Sequence, residues 1–303
     1  MKKEFAMKLL QLKYFQTLAR MLHYTKAAEA LHISQPSLSY SIAELEKELK
    51  VPLFHRDKKK IYLSPYGECF LDYVDQALNI LDKGVDHVHA MKNATSGVVG
   101  IGYIYSLSTD FIPKIVDGFK KENPDNIKFK YLQDLHSGLV KALKEEQVDL
   151  ILSADTDPSL VSVPLWKQEL YVIVHKDHPL AKKDEVEFAD IIHEPFIMLD
   201  EGSALRRMLN KKFEEFQTAP NIVSEPKECA AALQYVAHDD GIAVLPDIHQ
   251  TSLMPVKKLK ILTPGFVRTI YLSWKSDTTL IPPVQKVRNY ILKYVIARTD
   301  KGM

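Results

Sequence analysis

Hydrogen-bonding side chains are concentrated between residues 34 and 41, on one face of a predicted short helix. Ser34 can cap this helix, and Pro36 suits its first turn, where the missing N–H costs nothing. Apolar residues recur at helical spacing on the opposite face: Leu38, Ile42, Leu45 and Leu49. Serine and glutamine side chains both donate and accept hydrogen bonds at the edges of bases. The polar face therefore suits the major groove of DNA.

The candidate DNA-contacting residues extend beyond this helix. Arginine can hold a phosphate or a guanine through two hydrogen bonds, and lysines at a turn can reach backbone phosphates. The whole predicted set is Thr25, Lys26, Gln35, Pro36, Ser37, Ser39, Tyr40, Arg56, Lys58, Lys59 and Lys60. Simpler roles exist for some of these residues. Ser34 and Ser37 can be helix caps alone. Arg56 can pair with Glu46 or Asp57, and the lysine run can be a solvated turn.

Three further elements should position the polar helix. Residues 9–20 have apolar side chains on one face, which predicts an amphipathic helix that closes a three-helix core. Small apolar residues between 27 and 31 give a second short helix a face on which the polar helix can cross closely. Residues 51–56 and 61–64 are two β-prone segments around a charged turn, which predicts a hairpin wing.

A long helix is predicted over residues 65–93, with Ser64 as its cap and Pro65 at its first position. Its apolar residues follow the alternating three- and four-residue spacing of a coiled-coil seam. They are Leu71, Val74, Leu78, Leu81, Val85 and Val88. We interpret this stripe as a dimerisation seam. The alternative is a helix that packs on its own domain.

The N-terminal stretch resembles the DNA-binding domain of LysR-type transcriptional regulators. That family follows the pattern AA-x-x-L-x-x-SQP-[AS]-[LV]-S-x-x-I-x-x-LE-x-x-L-x-x-x-LF-x-R. The fixed positions are matched by Ala27-Ala28, Leu31, Ser34-Gln35-Pro36, Leu38-Ser39, Ile42, Leu45-Glu46, Leu49, Leu53-Phe54 and Arg56. The family often has arginine directly after the serine of the helix, where this chain has Tyr40. The resemblance implies a regulator that binds an interrupted inverted repeat in promoter DNA as a dimer or tetramer.

Strands alternate with helices after residue 96, which predicts a parallel α/β sheet. This body resembles the effector-binding half of the same family, which is similar in fold to periplasmic solute-binding proteins. The matching landmarks are Gly97-x-Val99-x-Ile101-Gly102, Pro113, Asp149-Leu150, His178-Pro179-Leu180-Ala181, Gly241-Ile242-x-x-Leu245-Pro246 and Tyr271-x-x-Trp274.

The resemblance implies an α/β protein in three parts. These are a winged helix-turn-helix domain (1–64), a linker and dimerisation helix (65–93) and a periplasmic-binding-protein-like effector domain (94–303). Within the effector domain, subdomain I takes residues 94–167 and 268–303, and subdomain II takes residues 168–267. The chain is expected to cross between them near 165–170 and 265–270.

Four strand-to-helix turns form the predicted ligand site, because ligands bind at such turns in the crevice of α/β domains. In relatives, hydroxyl groups on the first three turns often hold a small, frequently anionic metabolite. The predicted effector-binding residues are Ser106, Ser108, Thr109, His136, Ser137, Gly202, Ser203 and Glu225. Plain helix capping is the alternative for each turn. His136 and the acids Asp200 and Glu201 would shift the preference away from a simple anion.

Charge and motif content narrow the function further. Residues 1–64 carry 12 Lys and Arg against 6 Asp and Glu, in a chain of net charge +1. Such a basic head is typical of a phosphate-binding module. Cys69 and Cys229 are too few for a disulfide framework and are not placed as a sensing pair. Nucleotide-binding, protease and hydrolase motifs are absent, and the histidine pairs lack a third metal ligand. We expect no catalytic residue, cofactor or metal.

The expected partners are double-stranded promoter DNA, a small-molecule metabolite and further copies of the chain, with RNA polymerase as a candidate contact. No apolar run is long enough to span a membrane and residues 1–7 lack a signal-peptide core, so we expect a cytoplasmic protein. Residues 1–6 would be an extension before Met7. The rival hypothesis is an architectural or constitutive DNA-binding protein whose body only oligomerises.

Overall fold

The structure, a computed structural model, describes residues 7–57, 60–92, 96–124, 126–276 and 280–299. The chain forms two compact units, residues 1–88 and 89–303. Among the residues described, no helix combines the length and the apolar character needed to cross a membrane.

The first unit contains three short helices, a two-stranded wing and one long helix. Their bounds are α1 Leu9–Met21, α2 Tyr24–Ala30, α3 Gln35–Leu49, β1 Phe54–Asp57, β2 Lys60–Leu63 and α4 Pro65–Lys92. Helices α1, α2 and α3 share one core, in which Phe15, Leu18, Ala27, Leu38 and Leu45 are almost fully buried. Strands β1 and β2 pair antiparallel. The predicted winged helix-turn-helix is confirmed.

Two polar side chains attach the wing to the helices. The Glu46 Oε1 atom accepts hydrogen bonds from the backbone N–H of Leu53 at 2.7 Å and of Phe54 at 3.1 Å. The Ser64 hydroxyl donates to the Pro52 carbonyl at 2.6 Å and accepts from the backbone N–H of residue 67 at 3.0 Å. Glu46, at the end of the LE pair in the sequence pattern, therefore holds the backbone at the start of the wing.

Replacing Glu46 by alanine is expected to loosen the wing. Two backbone N–H groups in a part-buried site lose a charged acceptor, which costs about 1–3 kcal/mol in the free energy of unfolding. Hydrogen–deuterium exchange of peptides spanning residues 50–57 measures the effect. The control is Glu44→Ala, which removes only a 3.6 Å surface ion pair with Lys47. Equal protection of the wing in both variants would contradict the assignment.

The apolar stripe of α4 has two different environments. Val74 and Leu78 are only 2% and 4% exposed, because they pack into the core of the first unit, and Leu71 contacts the same core. Leu81, Val85 and Val88 are 49%, 55% and 65% exposed. Packing on the helix's own domain thus describes the first half of the stripe. Of the stripe, only the three later residues are exposed enough to form a dimerisation seam. A substitution of Leu78 would disturb the core of the first unit and would not test dimerisation.

The second unit continues with fifteen helices and strands among its described residues. They are β3 Ser96–Tyr103, α5 Phe111–Glu122, β4 Asn126–Gln133, α6 His136–Lys144, β5 Leu150–Ser153, β6 Leu160–His175, β7 Glu185–Val186, β8 Pro195–Ile197, α7 Ala204–Glu215, β9 Asn221–Ser224, α8 Cys229–Ala237, β10 Ala243–Pro246, β11 Val256–Ile261, β12 Val267–Lys275 and α9 Pro282–Thr299. Short 3-10 helices lie at Tyr105–Leu107, Pro179–Lys182, Phe188–Asp190 and His249–Leu253.

The main sheet is mixed, so the predicted parallel sheet is correct only for β3, β4 and β5. Its strand order is β4-β3-β5-β12-β6-β11-β7, and β10 also pairs with β6. Strands β3, β4 and β5 are parallel to one another. Strand β12 is antiparallel to β5 and β6, and β10 and β11 are antiparallel to β6. Antiparallel pairing arises because β6 and β12 carry the chain in opposite directions between the two halves of the sheet.

Two hydrophobic cores divide this unit into two lobes. The first lobe (residues 96–169 and 267–299) buries Val99, Ile115 and Leu150 among others, and the second lobe (residues 170–266) buries Phe196 and Leu209 among others. Strand β6 runs through both lobes: residues 160–169 pair with β12, and residues 170–175 pair with β10 and β11. The chain therefore passes between the lobes twice, within β6 and directly before β12.

Candidate functional site

The polar face of α3 is open to solvent at its N-terminal end. Gln35, Pro36, Ser37 and Tyr40 are exposed, and Tyr40 is 69% exposed. Ser39 is half-buried. The Ser34 side chain accepts from the Ser37 backbone N–H at 3.2 Å, and their hydroxyl oxygens lie 2.7 Å apart. Capping by Ser34 therefore coexists with an exposed surface that can contact bases.

The other predicted DNA contacts are partly described. Thr25 and Lys26 are exposed in the first turn of α2, and Lys60 is exposed at the start of β2. Arg56 lies on β1, paired in register with Ile61, but its side chain is outside the described set. Lys58 and Lys59 also lie outside the described residues.

A small cavity lies between the two lobes of the second unit. Each of the four predicted turns contributes to its wall, and strands β5 and β12 complete it. The lining residues are Ile104, Tyr105, Ser106, Leu135, His136, Ser153, Ala154, Leu199, Ser203, Ala204, Lys227, Cys229 and Arg268. Each turn directly follows a strand: β3 and β4 of the main sheet precede the first two turns, and β8 and β9 of a separate two-stranded sheet precede the other two. The carboxyl ends of these strands border the crevice.

Of the eight predicted effector residues, Ser106, His136 and Ser203 line the cavity and five do not. The Ser108 hydroxyl donates to the Tyr105 carbonyl at 2.7 Å, and Thr109 donates to Gln250 at 3.3 Å. Ser137 and Gly202 are exposed away from the lining. Glu225 accepts a 2.6 Å hydrogen bond from Arg206, a buried residue of α7.

The most consequential lining residue that the sequence interpretation missed is Arg268, on β12. Its Nε donates to the Gln168 side-chain oxygen at 2.8 Å, and its terminal nitrogen donates to the Ser106 hydroxyl oxygen at 2.7 Å. Burial lowers the pKa of the guanidinium, which nevertheless stays charged because arginine begins from so high a value. No carboxylate of the described residues forms an ion pair with it. One feature of the sequence could have identified Arg268 as a lining residue. It is a single arginine at the start of an apolar strand, within the expected crossover near 265–270.

His136 presents an uncharged ring to the cavity. Its Nδ1 lies 2.7 Å from the Ser153 hydroxyl oxygen, which also accepts from the backbone N–H of Asp155 at 3.2 Å. The Ser153 hydroxyl can serve either tautomer of the ring, because it has one proton to donate and a second lone pair with which to accept. Burial lowers the pKa of His136, so the imidazole is neutral at neutral pH. The neutral ring thus has one donor and one acceptor nitrogen.

The cysteines occupy unrelated environments. Cys229 is buried at the start of α8 in the cavity wall, where burial raises the pKa of its thiol and disfavours the reactive thiolate. Cys69 is exposed on α4. Within the described part of the chain, no group of three His, Cys, Asp or Glu side chains is arranged to hold a metal ion.

An exposed polar helix in a winged domain, followed by a two-lobed body with a cavity between its lobes, defines a DNA-binding protein with a ligand-binding module. Two family models agree. "Bacterial regulatory helix-turn-helix protein, lysR family" matches residues 9–68, and "LysR substrate binding domain" matches residues 92–295. The chain belongs to the LysR family of DNA-binding transcriptional regulators.

Known proteins resemble the chain along most of its length. The uncharacterised HTH-type transcriptional regulator YybE of Bacillus subtilis (strain 168) is 37% identical over 94% of this chain and 98% of its own. The effector-binding domain of QuiR in complex with shikimate is 30% identical, with a TM-score of 0.63, and covers 67% of this chain and 98% of its own. Full-length CbnR complexed with its target DNA has a TM-score of 0.76 at 19% identity, covers 95% of this chain and 99% of its own, and shows the shared fold alone.

Proposed function

We propose that this regulator binds two half-sites of an interrupted inverted repeat as a dimer or tetramer and responds to a small metabolite held between its lobes. The observation that carries the proposal is the cavity, at which turns from both lobes meet and whose charged Arg268 lacks a carboxylate partner among the described residues. One reading helix per chain requires two chains for a two-fold site. The match of residues 9–68 to the helix-turn-helix model of the LysR family supports the DNA half of the proposal.

The proposed response is a shift in the relative orientation of the lobes. A ligand can shift this equilibrium only by its differential affinity for the two arrangements, typically about 1–3 kcal/mol. In this structure the lobes are bridged by the hydrogen bond from Thr109 to Gln250 and by an ion pair between Arg207 and Asp155. Ligand contacts made to both lobes would compete with or reinforce these bridges. RNA polymerase is the proposed recipient of the resulting change at a promoter, and the proposed location of the protein is the cytoplasm.

Footprinting of the full-length protein on the promoter region of the neighbouring divergent gene, with and without a metabolite panel, tests this proposal. We expect two protected segments related by two-fold symmetry, whose spacing or bending changes with one member of the panel. Symmetric protection that no metabolite alters would favour a constitutive or architectural DNA-binding protein. A single protected segment would contradict the dimeric mode of binding.

Replacing Gln35 by alanine is expected to relax base preference, because the exposed amide can form paired hydrogen bonds with a base edge worth about 1–3 kcal/mol of discrimination. Lys60→Ala is the matched comparison. Loss of a phosphate contact should weaken all sequences alike and flatten the dependence of affinity on salt. Sequence selection from a randomised duplex library, followed by titration at several salt concentrations, separates the two effects.

Tyr40→Arg extends the same experiment. A tyrosine can contact a thymine methyl or a sugar, whereas arginine prefers guanine. The selected half-site should therefore change towards guanine at one position. If Gln35→Ala and Tyr40→Arg both select the same sequence as the wild type, the N-terminal end of α3 does not contact the bases.

A further inference from the structure

We propose that the effector of this regulator is a small carboxylic acid whose carboxylate is bound by Arg268. The inference rests on the proposed function, in that it names the chemical class of ligand for the cavity between the lobes. It is carried by the charges, hydrogen bonds and apolar surfaces of that cavity.

The charged side chains that line the cavity have one sign. Arg268 and Lys227 are both cations, and no aspartate or glutamate is among the lining residues. Asp200 and Glu201, which the sequence suggested would disfavour an anion, lie away from the lining. Asp200 accepts a 2.9 Å hydrogen bond from a backbone N–H of its own turn, and Glu201 is exposed. The cavity therefore favours a negative ligand.

Arg268 has neutral hydrogen-bond partners, and the nearby Asp155 carboxylate, which acts on it electrostatically, is ion-paired with Arg207. Its two hydrogen bonds go to Gln168 and Ser106, and no described carboxylate forms an ion pair with it. Partial burial removes water from the guanidinium, so an anion in the cavity would recover electrostatic energy that the unliganded protein lacks. The planar guanidinium has further N–H donors, arranged as a fork that matches the two oxygens of a carboxylate.

The remaining walls favour a carboxylate over a phosphate. Ile104, Leu135 and Leu199 provide apolar surface for a carbon skeleton, and the cavity is small. A phosphate would present more acceptor oxygens and a greater negative charge than one half-buried arginine and one exposed lysine can match. His136, with a neutral ring, can form a hydrogen bond with a hydroxyl group of the ligand in either tautomer. The geometry therefore suits a carboxylate head on a short, partly apolar body.

The test compares the wild-type full-length protein with Arg268→Gln, Arg268→Lys and Arg288→Gln. Arg288 is the matched control, because it is another half-buried arginine of the same unit, stacked 5.1 Å from the Trp274 ring and outside the cavity. The probes are acetate, benzoate, succinate and shikimate, the amides of the last three, and inorganic phosphate, all at constant ionic strength. Thermal shift and calorimetry measure binding, and the unliganded melting temperature of each variant checks its folding.

We expect at least one carboxylate, but not its amide or phosphate, to raise the melting temperature of the wild type and of Arg288→Gln. In Arg268→Gln the dissociation constant should rise about tenfold or more, because a charge-assisted pair is lost. Arg268→Lys, which retains the charge without the fork, should give an intermediate value. Preference for an amide or for phosphate, unchanged carboxylate binding in Arg268→Gln, or no carboxylate effect on the wild type would each overturn the proposal.

Footprinting with the same probes separates this inference from the proposed function. If an uncharged compound binds in the cavity and changes the footprint, the regulator responds to an effector but the carboxylate assignment is wrong. If a carboxylate binds through Arg268 and the footprint does not change, the ligand class is right and the effector response is wrong.

Discussion

Aspartate at both Leu81 and Val85 is expected to turn the protein into a monomer and to weaken its binding to an inverted repeat by about 100-fold or more. The two side chains are 49% and 55% exposed, so the substitution leaves the core of the DNA-binding unit intact. In a dimer they would face their copies across the seam, where like charges repel and apolar burial is lost. Loss of the second half-site contact removes the avidity of linked binding, which is worth about 10²–10⁴.

Ile80→Asp is the matched control for this variant. Ile80 is also 49% exposed, but it lies off the three-four spacing of the seam. Its variant should keep both the oligomeric state and the affinity for DNA. Light scattering gives the mass, and titration of a full repeat and of a single half-site gives the affinities. A dimeric Leu81→Asp/Val85→Asp protein, or equal loss of DNA binding in Ile80→Asp, would contradict the seam.

The DNA-binding unit was predictable because its local signals agree with its packing. Ser34 and Pro36 define the start of α3, and the apolar spacing of Leu38, Ile42 and Leu45 gives its buried face. The stripe of α4 was less informative. Spacing alone does not distinguish Val74 and Leu78, which the helix buries against its own unit, from Leu81 and Val85, which it leaves exposed. That difference depends on the residue at which α4 stops packing against the rest of the DNA-binding unit. The tertiary structure determines this position, and the spacing of apolar residues does not reveal it.

Strands of the second unit can be predicted from the sequence where their residues are continuously apolar. Strand β10 and the second half of β6 are of this kind, and both are nearly all buried. Strand β11 lacks this signal because Lys257, Lys258 and Lys260 interrupt its apolar residues, and only Leu259 and Ile261 are buried. Pairing direction was also missed, because a mixed sheet and a parallel sheet have similar strand compositions when both faces are covered.

The effector cavity shows the same limit at the level of single residues. The four turns were correctly expected to meet, since α/β topology brings the carboxyl ends of strands together. Which side chain of each turn points inwards depends on its local geometry. Ser106 and Ser203 reach the lining, whereas Ser108 turns back to its own backbone. Arg268 belongs to a strand and not to a turn, so the search for turns could not find it.

Gly67→Ala is expected to destabilise the DNA-binding unit by about 3 kcal/mol, whereas Gly84→Ala on the same helix should stabilise α4 by about 1 kcal/mol. A Cβ at residue 67 would lie 2.1 Å from the Leu53 carbonyl oxygen, and backbone cannot rotate away as a side chain can. At residue 84 a Cβ would meet no atom within 4 Å. The only effect of alanine at residue 84 is therefore its higher helix propensity, which is stabilising.

The close approach at Gly67 has a structural reason. Its backbone N–H donates to the Ser64 hydroxyl, which in turn donates to Pro52, so the start of α4 is held directly against the segment that leads into the wing. Alanine would separate these segments and disturb the docking of the wing beside α3. Circular dichroism at 222 nm and hydrogen exchange across residues 50–70 should give opposite shifts for the two variants. Stability changes of the same sign would show that the contact between α4 and the wing does not limit the stability of this unit.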